Sequence, residues 1–185
     1  MSWKVTTAPN EEPLTLSEAK AHLRVTHANS DTEIQRMITE ARNYCEEELD
    51  LAIPQQTITL KLDGFPAGRV IRLPRANLVS VTSVKYLDGN GDEQTFSDYT
   101  ADGYTTPARV VNDTETWPQT KDVANAVEVV YVAGFGTVPE LIKRAMLLLI
   151  GHWYDNRGAV VVGSINSSLA LAVDSALQKY RAMGV

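Results

Sequence analysis

Three stretches of this 185-residue sequence carry residue types at spacings that chemistry could use. The first is Gly134-Phe135-Gly136, between AVEVVYV and VPELIKRAM. A strand, a glycine turn and a helix N-terminus in that order can cradle a pyrophosphate on backbone N–H groups. The third glycine of such a turn is replaced by Pro139, whose ring obstructs close helix-to-strand packing. The two glycines therefore read as a sharp strand-to-helix corner, and a small nucleotide-binding enzyme using the Gly134-Gly136 turn stays as an alternative. The second stretch, DGNGDE from Asp88 to Glu93, sets oxygen ligands at alternate positions as a calcium loop does. Its sixth position is Glu93 instead of glycine, and its twelfth is Tyr99 instead of a bidentate Glu. A tight turn between two strands is the better reading.

The third set is His22, His27, His152 and the single Cys45. His22 and His27 are five residues apart across a helix end and share no face, so no metal spacing emerges. Cys45 falls at helical period with Met37, Ile38, Ala41 and Leu49, which reads as a small core residue. The run Glu46-Glu47-Glu48 reads as the solvated face of a helix. No catalytic, cofactor or metal site assembles from these residues, and the expectation is a protein that is not an enzyme.

The elements that must hold these residues follow from periodicity. Thr15 with Glu18, Ser30 with Glu33, and Thr137 with Glu140 have capping-box spacing, predicting three helix starts. The first helix runs roughly over 16–25. The second turns Ile34, Met37, Ile38, Ala41, Cys45 and Leu49 to one face and ends before Pro54. From Thr57 the period becomes two, and TITLKL, RVIRL, SVTSVKYL, EQTFSDYT, ARVV and AVEVVYV read as antiparallel strands joined by short turns. A helix begins near Thr137, and a last one, roughly 168–181, aligns Leu169, Val173, Ala176, Leu177 and Tyr180. The expected fold class is α+β: a single domain, 1–185, with a mainly helical core at 14–53 and 137–182 and an antiparallel β subdomain inserted at 56–133.

Composition bounds the function. With 44% hydrophobic and 22% charged residues the chain can bury a core without disulfides. Its longest apolar run falls short of the ~20 residues that span a bilayer, so no membrane role is expected. MSWKVTTAPNEEP lacks a basic start and an apolar stretch, so no secretory signal is expected and a cytoplasmic setting is the default. A net charge of -6 argues against gripping phosphate backbones.

The segment VPELIKRAMLLLIGHWYDNRGAVVV concentrates the remaining candidates. Ala145 to Ile150 is apolar on every side, which predicts a helix at the centre of the core. The end that follows, Trp153, Tyr154, Asp155, Asn156 and Arg157, carries the residue types enriched at interface hot spots, although Trp153 also has helical spacing from Met146 and Leu149. Val160, Val161 and Val162 form an uncharged β-branched run flanked by Gly158 and Gly163 that calls for a covering partner.

Taken in series, EPLTLSEAKAHLRV, DTEIQRMITEARNYCEEELD, QQTITLKLDGFP, IRLPRANLVSVTSVKYLDGNG, TWPQT, VVYVAGFGTVPELIKRAMLLLIGHWYDNRGAV and ALQKYRAMGV resemble tailed-phage head-tail connector (adaptor) proteins. That resemblance implies a non-enzymatic structural protein without cofactors, made in a bacterial host and placed at the virion neck. It implies a homo-oligomeric ring, typically dodecameric, under the portal protein. Such a ring extends the DNA channel without specific DNA binding and docks the next tail or stopper protein. Interface expectations on this basis are Trp153, Tyr154, Asp155, Asn156, Arg157, Val160, Val161, Val162, Tyr180 and Arg181. A monomeric tail-completion factor is the other alternative.

Overall fold

A computed structural model of the chain describes residues 1–75, 77–156 and 167–181. Its elements run β1 (Ser2–Thr7), α1 (Leu16–Leu23), α2 (Asp31–Leu49), β2 (Gln56–Leu62), β3 (Val70–Arg72), β4 (Leu78–Leu87), β5 (Glu93–Phe96), β6 (Tyr99–Asp102), β7 (Arg109–Asn112), β8 (Val127–Ala133), α3 (Glu140–Asp155) and α4 (Ser167–Leu177), followed by a 3-10 turn, Gln178–Tyr180. They divide into a β unit, Met1–Asn10 with Pro54–Gly136, and a helical unit, Glu11–Ile53 with Thr137–Arg181.

The expectation of a mainly helical core with a β insertion is overturned. Eight strands in two antiparallel sheets outnumber four α-helices among the described residues. The larger sheet has the order β1-β2-β8-β4-β5, so the helical pair α1–α2 interrupts a sheet that has already begun at Ser2. The strand missed from the sequence is β1, exposed at all six positions. Its alternation of Trp3, Val5 and Thr7 with polar residues becomes meaningful only through long-range pairing, Trp3 opposite Leu60 and Val5 opposite Ile58.

The β unit is built on alternation. β8 buries Val127, Val129, Tyr131 and Ala133, and pairing sets Leu60 and Ile58 of β2 opposite Val129 and Tyr131. On the other side β4 brings Val84 opposite Val129 and accommodates two register irregularities, at 78/80 and 81/83. The Tyr131 hydroxyl donates to the Pro74 carbonyl at 2.6 Å, which satisfies the one polar atom on a fully buried ring. EQTFSDYT, expected as one strand, is two: β5 joins β4 in the large sheet, whereas β6 joins β7 in a three-stranded sheet of order β3-β7-β6.

In the helical unit, α1 starts with the expected capping box. The Glu18 N–H donates to the Thr15 hydroxyl at 3.2 Å and the Thr15 N–H to a Glu18 carboxylate oxygen at 2.7 Å. These Thr15 bonds, backbone first, hold the Glu18 carboxyl below its usual range. The other two boxes do not form. Ser30 sits at φ -104, ψ 7 without a side-chain cap, and α3 starts at Glu140 with Pro139 as N-cap, leaving Thr137 outside the helix. α2 buries the six residues expected on its apolar face, and Glu46 as well. α3 buries Ile142, Ala145, Met146, Leu149 and Ile150, whereas Leu147 and Leu148 are half-buried, so its apolar stretch is not enclosed on every side.

Candidate functional site

The three stretches with possible chemistry are used by the fold itself. Gly134 has φ +132, and a Cβ there would lie 2.4 Å from the Pro54 carbonyl oxygen and 2.6 Å from Gln55 Cα. Its N–H donates to the Asn77 carbonyl at 2.8 Å, so that donor is unavailable to an anion. At the DGNGDE turn one Asp88 carboxylate oxygen accepts the N–H groups of Asn90, Gly91 and Asp92 at 2.9, 3.1 and 3.1 Å. These bonds, with Asp92 contributing most, hold the Asp88 carboxyl below the usual carboxylate range. Cys45 is buried, and burial, reinforced by the charges of Glu48 and Glu46, pushes its thiol up to about 12.

Glu46 departs from the solvated face expected of the Glu46-Glu47-Glu48 run: it is 2% exposed. One of its oxygens accepts the Ile53 N–H at 2.9 Å and the other pairs with Arg42 at 3.1 Å. Arg42 also reaches Glu12 at 2.8 Å. A guanidinium between two carboxylates within one helical unit is a structural clamp, and each carboxylate offers hydrogen-bond acceptors only.

The interface candidates at the end of α3 divide by environment. Trp153 and Tyr154 are half-buried, while Asp155 and Asn156 are exposed. The Tyr154 hydroxyl is 3.4 Å from that of Ser30. Asn156 closes the helix, its N–H and its side-chain amide both donating to the His152 carbonyl, at 3.1 and 2.8 Å. Arg157, Val160, Val161 and Val162 lie outside the described residues. Tyr180 is half-buried with Lys179 Nζ 5.9 Å from its ring centre. Arg181 forms ion pairs with Asp174 at 2.6 Å and Glu48 at 2.9 Å, which join the α4 end to α2.

Sequence reasoning passed over two exposed groups. Leu171 on α4 is 71% exposed beside an open groove of about 460 Å³ lined by Tyr44, Glu48, Ala170, Val173 and Leu177. The available signal was a helix apolar on several faces with Asp174 as its one charge. Tyr104, in the loop between β6 and β7, is fully exposed, and no periodicity marks a lone aromatic in a turn.

The family model of head completion proteins matches residues 12–166, and the chain belongs to that family, a structural and non-enzymatic one of the head-tail junction. Its fold is similar along its whole length to a chain from the "Neck of empty GTA particle computed with C6 symmetry". The TM-score is 0.83 at 21% identity, with 100% of this chain and 97% of that one covered. Chains from the virion of a native gene transfer agent (GTA) particle (TM-score 0.83) and from the neck of a native GTA particle computed with C12 symmetry (TM-score 0.81) are similar at 20% identity, each with the same coverage. A comparison with curated proteins gives no match.

Proposed function

We propose that this chain is a head-tail connector subunit that forms a ring at the virion neck, beneath a portal and above the next tail component. The observation that supports it is agreement of one fold, end to end, with chains from neck assemblies computed with six- and twelve-fold symmetry. Twelve copies is the number we propose. The net charge of -6 suits a lumen through which DNA slides without being held. Subunit or portal contacts fall to the exposed apolar face of α4 at Leu171 and to Trp153, Asp155 and Asn156 at the end of α3.

Electron microscopy of purified chain mixed with portal rings tests the reading. The expected result is an added ring of density below the portal at micromolar protein; no added density overturns it. In a gel-shift assay at physiological salt the chain should leave duplex DNA unshifted, and submicromolar binding with the salt slope of a phosphate binder would contradict the channel role.

A further inference from the structure

The three-stranded sheet carries one exposed feature at each end, both apart from the glycine and acidic turns. At one end, the loop between β6 and β7 presents Tyr104 entirely to solvent. The loop is tied down: the Tyr104 N–H donates to Asp102 at 3.0 Å, Asp102 pairs with Arg109 at 2.9 Å, and the Thr105 hydroxyl donates to the Pro107 carbonyl at 3.2 Å. A tyrosine held in water on a fastened loop has a large ring to bury and few conformations to lose on contact.

At the other end lies an open groove of about 310 Å³ between the segment before β3 and the segment after β7. Its aromatic element is Phe65 stacked on Trp117, ring centres 4.5 Å apart and 5° from parallel. Phe96 supports Trp117 at 5.1 Å, and the indole N–H donates to the Gly68 carbonyl at 2.7 Å, which fixes the ring. Pro66 and Pro118 flank this aromatic pair, the rest of the lining is mainly polar, and within it Glu115 and Gln119 supply acceptors for a phenol hydroxyl.

Register shows that these features cannot meet within one copy. Arg72 pairs with Arg109 beside the Tyr104 loop, and Val70 pairs with Val111 beside the groove. The four residues of β7 separate the two ends by about 10 Å. Charge also differs between them. Arg72 is exposed at the Tyr104 end with no ion pair among the described residues, and Arg109 is matched by Asp102. The groove end gathers Asp98, Asp113 and Glu115 against Arg69, whose guanidinium is bonded to the Asn112 carbonyl. An end with a knob and one unpaired arginine and an end with a groove and an excess of carboxylates are complementary between successive copies. Two different patches on one chain make a heterologous contact, the kind that closes into rings.

We propose that neighbouring copies in the ring, on whose existence this inference rests, engage head to tail through this sheet, Tyr104 of one copy seating in the Phe65–Trp117 groove of the next. Cysteine cross-linking of the full chain tests it, since Cys45 is buried and leaves a silent background. In a Thr106→Cys, Ala67→Cys chain, mild oxidation should give a ladder of covalent multimers beyond the dimer, and neither single variant should give one. Adding Tyr104→Ser should reduce the ladder roughly tenfold or more, the effect of removing a hot-spot anchor. Because all three positions are at least partly exposed on loops, folding is retained. Dimers from Thr106→Cys alone, no ladder, or a ladder indifferent to Tyr104→Ser would each overturn the proposal. Rings below the portal without the ladder would remove this contact and leave the connector reading standing; a ladder with no density below the portal would do the reverse.

Discussion

α2 and α4 belong to the same helical unit and use their apolar residues in opposite ways. α2 turns Ile34, Met37, Ile38, Ala41, Cys45 and Leu49 inward and encloses Glu46, while Gln35, Arg36, Glu40, Asn43 and Glu47 face water. α4 buries Val173 and Leu177 but exposes Leu171, with Ala170 and Ala172 exposed beside it. One helix completes its packing inside the chain; the other leaves apolar surface exposed, the surface proposed above for a subunit or portal contact.

Substitutions can break this contrast or sharpen it. The largest effect belongs to Glu46→Ala, which leaves the Ile53 N–H without its acceptor and the 11%-exposed Arg42 with Glu12 alone. Removing one partner of a buried pair costs about 3–5 kcal/mol, and the urea midpoint should fall accordingly. Leu177→Ala, on the inner side of α4, should cost about 2–4 kcal/mol by the same measurement. Arg181→Ala should cost about 1 kcal/mol or less, because its side chain and both partners are at least 40% exposed. Leu171→Ser should leave stability within about 0.5 kcal/mol and weaken assembly on the portal. A loss from Leu171→Ser as large as that from Leu177→Ala would mean that α4 is closed on both sides, and the contrast with α2 would collapse.

A titration gives the finest test. Burial, and then the charge of Glu48, raises the Tyr44 phenol above its usual range. The fold favours the neutral phenol, so the stability it contributes is intact below the unfolded value of about 10. That stability is lost as pH rises through the folded pKa. A partner seated over α4 would bury Tyr44 further, and its phenolate absorbance should then appear at higher pH in the assembled ring than in the free chain.

The comparison also shows which parts of the molecule were legible in the sequence. The six-residue stripe of α2, the capping box at Thr15 and the alternation of β8 are local patterns, and each is found where the periodicity sets it. Partnership is not local. EQTFSDYT has one unbroken strand pattern, yet its halves pair with β4 and β7 in different sheets. Glu46 reads as one of three solvated carboxylates until folding brings Glu12, thirty positions before Arg42 in the chain, to the guanidinium. The expected helical core fails for the same reason: β1 has no buried residue to announce it, and the division of EQTFSDYT into β5 and β6 shows only in the pairing. Among the interface candidates, side-chain type identified groups able to make contacts, but Tyr154 reaches Ser30 and Arg181 reaches Glu48 and Asp174 in their own unit. Residue type cannot distinguish an internal partner from an external one.

The corner at Gly134 bears on how such chains diverge. Proteins that keep this fold at 21% identity have exchanged most of their side chains, and buried positions can drift because a neighbour shrinks when one residue grows. Gly134 has no neighbour that can shrink: the atoms a Cβ would strike are the backbone of Pro54 and Gln55, common to every amino acid. Compensating mutation is closed to it. Across homologues too distant for their cores to align residue by residue, a glycine should persist at this corner and mark the register of the whole chain.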